Sequence, residues 1–230
     1  MEQSQNSFLI PLAIVVAGGF VATAIYFGTG SADSPTAAID TNNLDTQIDL
    51  VPVTERDHII GSRNSALVII EYSDTECPFC KTFHNTMHQI TREYDGKVAW
   101  VYRHFPIAQL HTKAAKESEA TECAAELGGH QAFWKYIDKI FETTSSNDSL
   151  DPSELPRIAT AIGLDVTAFN TCLSSGRHAE LVKKSVEEAI KAGALGTPYS
   201  VIVAKDGKKV VINGAEPIAM VKAKIDALLK

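Results

Sequence analysis

The chain has 230 residues and a formal net charge of −7, and 45% of its residues are hydrophobic while 21% are charged. This is an ordinary globular composition, and the residues beyond the N-terminus suffice for about one domain with a full core. The negative charge and the lack of a Lys/Arg run argue against nucleic acid as a partner, because phosphate binding requires a basic face.

The N-terminal segment Phe8–Phe27 consists of twenty residues without a charge. A helix of that length spans about 30 Å, the thickness of the hydrocarbon core of a bilayer. Ala22-Thr23-Ala24 has the form of a signal-peptide cleavage site, but the leader has no Lys or Arg and the apolar run continues past Ala24. We therefore predict an uncleaved membrane anchor over residues 1–27, in preference to a cleaved signal peptide or a buried core helix.

A polar stretch separates the predicted anchor from the folded domain. Residues 28–55 are rich in Gly, Ser, Thr, Asp and Asn, which indicates a flexible linker. The first positive side chain after the span is Arg56, so the charge pattern does not define the orientation of the anchor. The domain is predicted to begin near Arg56 and to extend over residues 56–230.

The first part of the domain has the pattern of a βαβ unit. Ala66–Tyr72 is a short apolar, β-branched run, typical of a strand that is buried on both faces. Val98–Tyr102 predicts a second strand. Between them a helix is predicted to end near Asp95-Gly96, because apolar residues recur at helical spacing. These residues are Phe83, Met87, Ile90 and Tyr94.

The rest of the domain is a helical block followed by a hairpin and a last helix. Residues 112–193 are mostly helical in pattern and are interrupted by glycines and a proline. Tyr199–Val203 and Lys209–Ile212 predict two strands that are joined at the turn signal Asp206-Gly207. Residues 217–230 predict a closing helix. The predicted layout is therefore βαβ, a helical block, then ββα.

The motif Cys77-Pro78-Phe79-Cys80 lies where the first strand ends and the helix begins. Pro78 suits the first helical position, since its missing N–H would have no partner there. The positive end of the helix dipole favours the thiolate of Cys77, which is the form that attacks a disulfide. Cys80 is one turn further into the helix and is expected to be more buried and less acidic. The pattern predicts a redox dithiol in which Cys77 attacks and Cys80 resolves.

A zinc site or a plain structural disulfide is the alternative reading of this motif. Cys80, His84 and His88 follow one another at i, i+4 and i+8 and form a possible stripe of ligands. These positions drift around a helix, however, and Cys80 would have to be exposed. The sequence also has no second C-x-x-C to complete a zinc site. We therefore predict no metal and no cofactor.

Three segments resemble the DsbA-like branch of the thioredoxin superfamily, whose members are extracytoplasmic thiol–disulfide oxidoreductases. They are Glu71–Cys80, Arg103–Pro106 after the second strand, and Gly196–Pro198 before the third. The resemblance covers residues 57–230 and is strongest to single-anchor, BdbD-like members. It implies an α/β thioredoxin fold with a helical domain inserted at about residues 112–193, preceded by one N-terminal transmembrane helix.

The resemblance also implies roles for individual residues. Cys77 matches the nucleophile of the family and Cys80 its resolving cysteine. Pro198 matches the proline with a cis peptide bond beside the active site, and the backbone of Thr197 would pair with an extended substrate strand. His104, at the end of the second strand, is expected at the surface.

One departure from the family concerns the residues around Cys77. The type member has His between its cysteines, where this chain has Phe79, which can neither donate a hydrogen bond nor carry charge. Glu76 adds a negative charge beside Cys77, and this charge is expected to raise the pKa of the thiol. We therefore expect a less oxidising dithiol than that of the type member.

A second pair of cysteines lies in the helical block. Cys123 and Cys172 could be free, since unpaired cysteine is often a small buried apolar residue. We predict a structural disulfide between them, because closing a loop of about 50 residues would stabilise the fold by roughly 4 kcal/mol. Some DsbA-like proteins are similar in carrying a second, non-catalytic disulfide there.

The sequence thus predicts a membrane-anchored dithiol oxidase that donates the Cys77–Cys80 disulfide to reduced exported proteins. The resemblance implies re-oxidation by a membrane partner of the DsbB or VKOR-like kind, with the catalytic domain on the extracytoplasmic side of the cell membrane. A disulfide isomerase or reductase with the same cysteines is the first alternative. A redox-inert peptide-binding or chaperone module is the second. We expect a monomer, because residues 28–55 are too short and polar for a dimerisation domain.

Overall fold

The computed structural model describes residues 48–230. The membrane anchor predicted over residues 1–27 and residues 28–47 of the predicted linker lie outside the described residues, so the anchor stays a prediction. Among the helices of residues 48–230, none combines the length and the apolar character that crossing a bilayer requires.

A mixed five-stranded sheet forms the centre of the domain, in the order β1-β3-β2-β4-β5. The strands are β1 (His58–Ile60), β2 (Leu67–Ser73), β3 (Val98–His104), β4 (Tyr199–Ala204) and β5 (Lys209–Asn213). Strands β2 and β3 run parallel, and the other neighbouring pairs are antiparallel. Strand β2 is central and buried along most of its length, which explains why its sequence is a continuous apolar run.

Helices connect and cover these strands. Within the described residues they are α1 (Pro78–Glu93), α2 (Ala114–Thr143), α3 (Glu154–Ala161), α4 (Val166–Ser175), α5 (Ala179–Lys191) and α6 (Ile218–Leu228). Helix α1 connects the parallel strands β2 and β3, and α2 to α5 form one block between β3 and β4. The prediction of a thioredoxin fold with a helical insertion is therefore confirmed.

Apolar side chains cover the sheet on both faces. On one face, α1, α2 and α6 pack against residues of the sheet such as Trp100. On the other face, Ala189 of α5 belongs to a core with Tyr72 and Val201. A separate core fills the helical insertion, where Tyr136 and Phe169 surround the second pair of cysteines. The second pair of cysteines thus lies in a cluster within the insertion, while α2 and α5 also contribute residues to the cores of the sheet.

The folded region begins before the predicted start at Arg56. Ile48 is buried in the core on the α5 face of the sheet. The guanidinium of Arg103 donates hydrogen bonds to the backbone carbonyls of Val51 and Pro52. Strand β1 was also absent from the prediction, because three residues are too few to show an alternating pattern.

His104 is buried, so the prediction of a surface histidine was wrong. Its Nε2 lies 2.8 Å from Oε1 of Glu122, and Nε2 of His58 lies 2.9 Å from the same oxygen. Burial alone would raise the pKa of Glu122, but the two imidazoles outweigh it and the pKa is lowered. Glu122 belongs to α2, which packs over the end of β3. The residues next to His104 in the sequence therefore give no sign that its side chain is buried.

Candidate active site

Cys77 is the N-cap residue of α1, and Pro78 lies in the first turn. The turn that precedes it is held by Asp74, whose carboxylate accepts hydrogen bonds from the backbone N–H groups of Glu76 (2.8 Å) and Ile107 (2.7 Å). Cys77 is 5% exposed and Cys80 is fully buried, and both are free thiols. The difference in burial has the direction expected from the position of each cysteine in the helix.

Thr197 lies directly opposite the Cys77 thiol. The peptide bond between Thr197 and Pro198 is cis. Sγ of Cys77 donates a hydrogen bond to the carbonyl oxygen of Thr197 at 3.5 Å. The structure therefore brings residues that are 120 positions apart together at the N-terminus of α1.

The two thiols have shifted pKa values of opposite sign. A hydrogen bond from Cys80 is the largest influence on Cys77 and lowers its pKa to about 6, although burial acts in the opposite direction. The Thr197 side chain and the backbone N–H groups of Cys80 and Phe79 lower this pKa further. Burial raises the pKa of Cys80 well above its ordinary value, and the charge on Cys77 adds to this effect. The thiolate therefore belongs to Cys77.

Glu76, the residue before Cys77, has a carboxylate that is held by the loop after α2. Its carboxylate accepts hydrogen bonds from the Thr144 hydroxyl (3.0 Å) and from the backbone N–H groups of Ser149 (3.2 Å) and Leu150 (3.1 Å). The loop after α2 thus binds the charge of Glu76, while hydrogen bonds from other groups lower the pKa of Cys77. A pKa of about 6 is nevertheless higher than the value of about 3.5 known for DsbA.

Glu71 is a titratable group near the thiols that the sequence analysis did not single out. It lies in the centre of β2, is fully buried, and accepts a hydrogen bond of 2.8 Å from the indole N–H of Trp100. Burial raises the pKa of Glu71 to about 7, and a negative charge on Cys77 raises it too. A carboxyl with this pKa gains or loses a proton near neutral pH. A charged residue within an otherwise apolar strand was the available signal.

Cys123 and Cys172 form a disulfide in the structure, as predicted. The bond joins α2 to α4 and lies buried in the core of the helical insertion. Cys77 and Cys80 belong instead to the core beneath the sheet. The second pair is thus kept apart from the redox motif, in keeping with a structural role.

The family model described as "Thioredoxin" matches residues 53–227, which is most of the chain. The chain belongs to the thioredoxin family. Among solved structures, this thioredoxin-family chain is similar to DsbA2 of Pseudomonas aeruginosa, with 27% identity and a TM-score of 0.64 over 76% of this chain and 96% of that one. BdbD of Bacillus subtilis shares the fold, with 19% identity and a TM-score of 0.67 over 80% of this chain and 99% of that one. The protein is a DsbA-like member of the thioredoxin superfamily.

Curated relatives match this chain over a much smaller part of their own length than these solved structures do. Na(+)/H(+) antiporter NhaA 3 of Salinispora tropica is 35% identical over 150 residues, which is 65% of this thioredoxin-family chain. The match covers 22% of the antiporter. The chain therefore spans about a fifth of that relative, and the antiporter name describes a much longer protein.

Proposed function

We propose that this protein is a thiol–disulfide oxidase that donates the Cys77–Cys80 disulfide to exported proteins. The observation that carries the proposal is the inequality of the two thiols. Cys77 has a lowered pKa at the N-terminus of α1, whereas Cys80 is fully buried with a raised pKa. A dithiol catalyst needs this difference, because one sulfur must meet the substrate and the other must stay inside.

In the proposed reaction, a substrate thiolate attacks Sγ of Cys77 in the oxidised protein. The Cys77–Cys80 bond breaks, a mixed disulfide forms, and Cys80 leaves as a thiolate that takes up a proton. A second substrate thiolate then attacks the substrate sulfur of the mixed disulfide. The substrate disulfide forms and Cys77 is released as a thiolate. The lowered pKa of Cys77 makes it a good leaving group and favours this direction.

The surface beside Cys77 has the features that an extended, unfolded substrate requires. The Thr197 backbone next to the thiol offers hydrogen-bonding groups for strand pairing. Phe79 is 64% exposed and presents its ring beside the two cysteines. Two residues before Thr197 in the sequence, Leu195 is fully exposed and lines an apolar groove of about 590 Å³ together with Phe105. These groups would accept apolar side chains of reduced proteins without demanding one sequence.

The proposed place of action is the extracytoplasmic side of the cell membrane, where the anchor predicted over residues 1–27 would hold the protein. We propose that the protein acts as a monomer. The Cys123–Cys172 disulfide supports this proposal, because structural disulfides persist in oxidising compartments. Each donated disulfide leaves the Cys77–Cys80 pair reduced. A membrane partner of the DsbB or VKOR-like kind would restore it.

The reduction potential of the Cys77–Cys80 pair separates an oxidase from a reductase. We expect a value between about −270 mV, as in thioredoxin, and about −120 mV, as in DsbA. The physical reason is the pKa of Cys77, which is lowered from its ordinary value, but only to about 6. The thiolate exists only in the reduced protein, so a moderate stabilisation of the thiolate makes the pair a moderate oxidant. The measurement equilibrates the full-length protein in detergent with glutathione buffers and traps the thiols. A potential at or below that of thioredoxin would contradict the oxidase and favour the reductase.

A Phe79→His variant is the matched comparison for this measurement. Histidine at the exposed position 79 can donate a hydrogen bond or carry a positive charge near Cys77, which Phe79 cannot do. We expect the potential to move toward that of DsbA and the pKa of Cys77 to fall. An unchanged potential would mean that the residue between the cysteines does not limit the oxidising strength of this chain.

Glu71 is proposed to exchange the proton of Cys80. Oxidation of the reduced protein by oxidised glutathione ends with attack by Cys80, which must first lose its proton. We expect Glu71→Gln to slow this step by about 100-fold. The wild-type rate should fall as the pH drops below about 7, where Glu71 becomes protonated, and the variant should lose this inflection while it keeps the one near pH 6 that belongs to Cys77. Stopped-flow measurement on both sides of neutrality tests this.

Glu117→Gln is the control for Glu71→Gln. Glu117 is also buried, and burial raises its pKa to about 8. Its charge interacts with Glu76 and Asp74. The control should keep the inflection near neutrality. If Glu117→Gln removes the inflection and Glu71→Gln does not, the proton passes through Glu117 and the role given to Glu71 is wrong.

A further inference from the structure

Two histidines of α1 and one aspartate of α2 converge one helical turn beyond Cys80. Nε2 of His84 and Nε2 of His88 lie 2.7 Å and 2.9 Å from Oδ1 of Asp138, and the two nitrogens are 3.2 Å apart. All three atoms thus face one point between the helices. We propose that this His84–His88–Asp138 cluster binds a divalent transition-metal cation of the zinc class.

The spacing of the three atoms fits a shared cation. Zinc holds nitrogen and oxygen ligands at about 2.0–2.2 Å in tetrahedral geometry, so that neighbouring ligand atoms lie about 3.3 Å apart. The observed separations of 2.7, 2.9 and 3.2 Å are shorter than this value, most of all between His84 and Asp138. The side chains of His88 and Asp138 are 26% and 37% exposed, so both can shift to admit an ion. The side chain of His84 is only 4% exposed and is held in place by its surroundings.

The donor set indicates which ions the cluster would take. Two imidazole nitrogens and one carboxylate oxygen suit zinc, cobalt, nickel or ferrous iron better than calcium or magnesium, which prefer oxygen ligands. Cys80 is not a member, because its sulfur does not lie among the three converging atoms. With three protein ligands, at least one position stays open to water. The sequence stripe of Cys80, His84 and His88 therefore pointed to the right helix but to the wrong third ligand.

A bound ion would connect the two parts of the domain. Helix α1 carries the redox motif at its N-terminus, and α2 belongs to the helical insertion. The cluster bridges them on the side of α1 that packs against Trp100 and Trp134. These are the two tryptophans of the chain. Their indole rings lie 5.1 to 6.3 Å from the histidine rings, so their fluorescence reports on the cluster.

The test uses the full-length protein in detergent, freed of metal, with Cys77 and Cys80 oxidised to a disulfide so that no thiol binds the ion. Zinc is added in a calorimetric titration, and cobalt in a parallel titration that follows visible absorption and tryptophan fluorescence. We expect one equivalent of either ion to bind, cobalt to quench the fluorescence, and zinc to reverse the quenching. Absence of saturable binding at one equivalent would overturn the proposal.

Variants locate the bound ion. His88→Gln and Asp138→Asn alter partly exposed side chains and are expected to fold, and each should weaken zinc binding by at least about tenfold. His130→Gln is the matched control, because His130 is an exposed histidine of α2 outside the cluster. It should bind zinc as the wild type does. Unchanged affinity in both ligand variants, or an equal loss in the control, would place the ion elsewhere and refute the cluster.

Thermal unfolding supplies a second readout that does not depend on the redox activity. A ligand that binds only the folded protein stabilises it by mass action. Zinc should therefore raise the melting temperature of the wild type and of His130→Gln, and should raise that of Asp138→Asn clearly less at the same zinc concentration. An equal rise in all three proteins would show binding outside the cluster.

Discussion

Replacing Cys77 with serine is expected to reduce disulfide transfer by at least about a thousandfold, to the uncatalysed background. Serine has no sulfur to hold a mixed disulfide, and its hydroxyl does not ionise near neutral pH. The rate is measured as the gain of native disulfides in a reduced, unfolded ribonuclease. Serine differs from the reduced cysteine by one atom, so the thermal stability of the variant should remain close to that of the reduced wild type.

Cys80→Ser is the informative partner of this variant, because it blocks a different step. The thiolate of Cys77 can still attack a disulfide of an oxidised substrate, which forms a mixed disulfide and releases one substrate thiolate, but no inner thiol is left to resolve the complex. We therefore expect covalent complexes to accumulate with Cys80→Ser and to be absent with Cys77→Ser. If Cys80→Ser gives no complex while Cys77→Ser does, the roles of the two cysteines must be exchanged. If both variants transfer disulfides normally, the motif is not the reactive group.

The local features of this site could be predicted from the sequence, because neighbours along the chain create them. Proline suits the first turn of a helix, so Pro78 indicates where α1 begins after β2. The dipole of that helix acts on Cys77, the residue just before it. The unequal burial of Cys77 and Cys80 follows from their spacing within one turn. The βαβ layout was equally predictable from the periodicity of apolar residues, since β2 and α1 each carry a clear pattern.

The features that were missed depend on contacts between distant segments. His104 is a strand-end residue in sequence, but Glu122 of α2 covers it in the fold. Asp138 completes the His84–His88 pair from a different helix. Glu76 was expected to act on Cys77, but donors of the loop after α2 bind its carboxylate. In each case the partner lies beyond the range of helical or strand periodicity, so no local pattern predicts it.

The helical insertion and the sheet meet at the redox site, and this explains several of those missed contacts. The loop that binds Glu76 follows α2, and the side chain of Lys81 donates a hydrogen bond to the carbonyl of Thr144 in the same loop at 2.6 Å. Residues on both sides of the C-x-x-C are thus attached to the insertion. The position of Cys77 therefore depends on how firmly the insertion is folded, and the Cys123–Cys172 disulfide lies in its core.

Removing this disulfide with Cys123→Ala and Cys172→Ala together is expected to lower the free energy of unfolding by about 4 kcal/mol. The cysteines are 49 positions apart, so the bond removes a large loop-closure entropy from the unfolded chain. For a domain of this size the loss corresponds to a fall of roughly 8–16 °C in melting temperature. Differential scanning calorimetry of the variant and the wild type measures it.

The control is the double variant Cys77→Ser and Cys80→Ser compared with the reduced wild type, since it changes two buried sulfurs without removing a cross-link. Its melting temperature should change much less. Alkylation of Cys123 or Cys172 in the folded protein without reductant would contradict the disulfide itself. Below its melting temperature the alanine variant should still transfer disulfides, because the two pairs of cysteines lie in separate cores. If transfer fails in the folded variant, the insertion positions Cys77 through this bond, and its role is more than stabilisation.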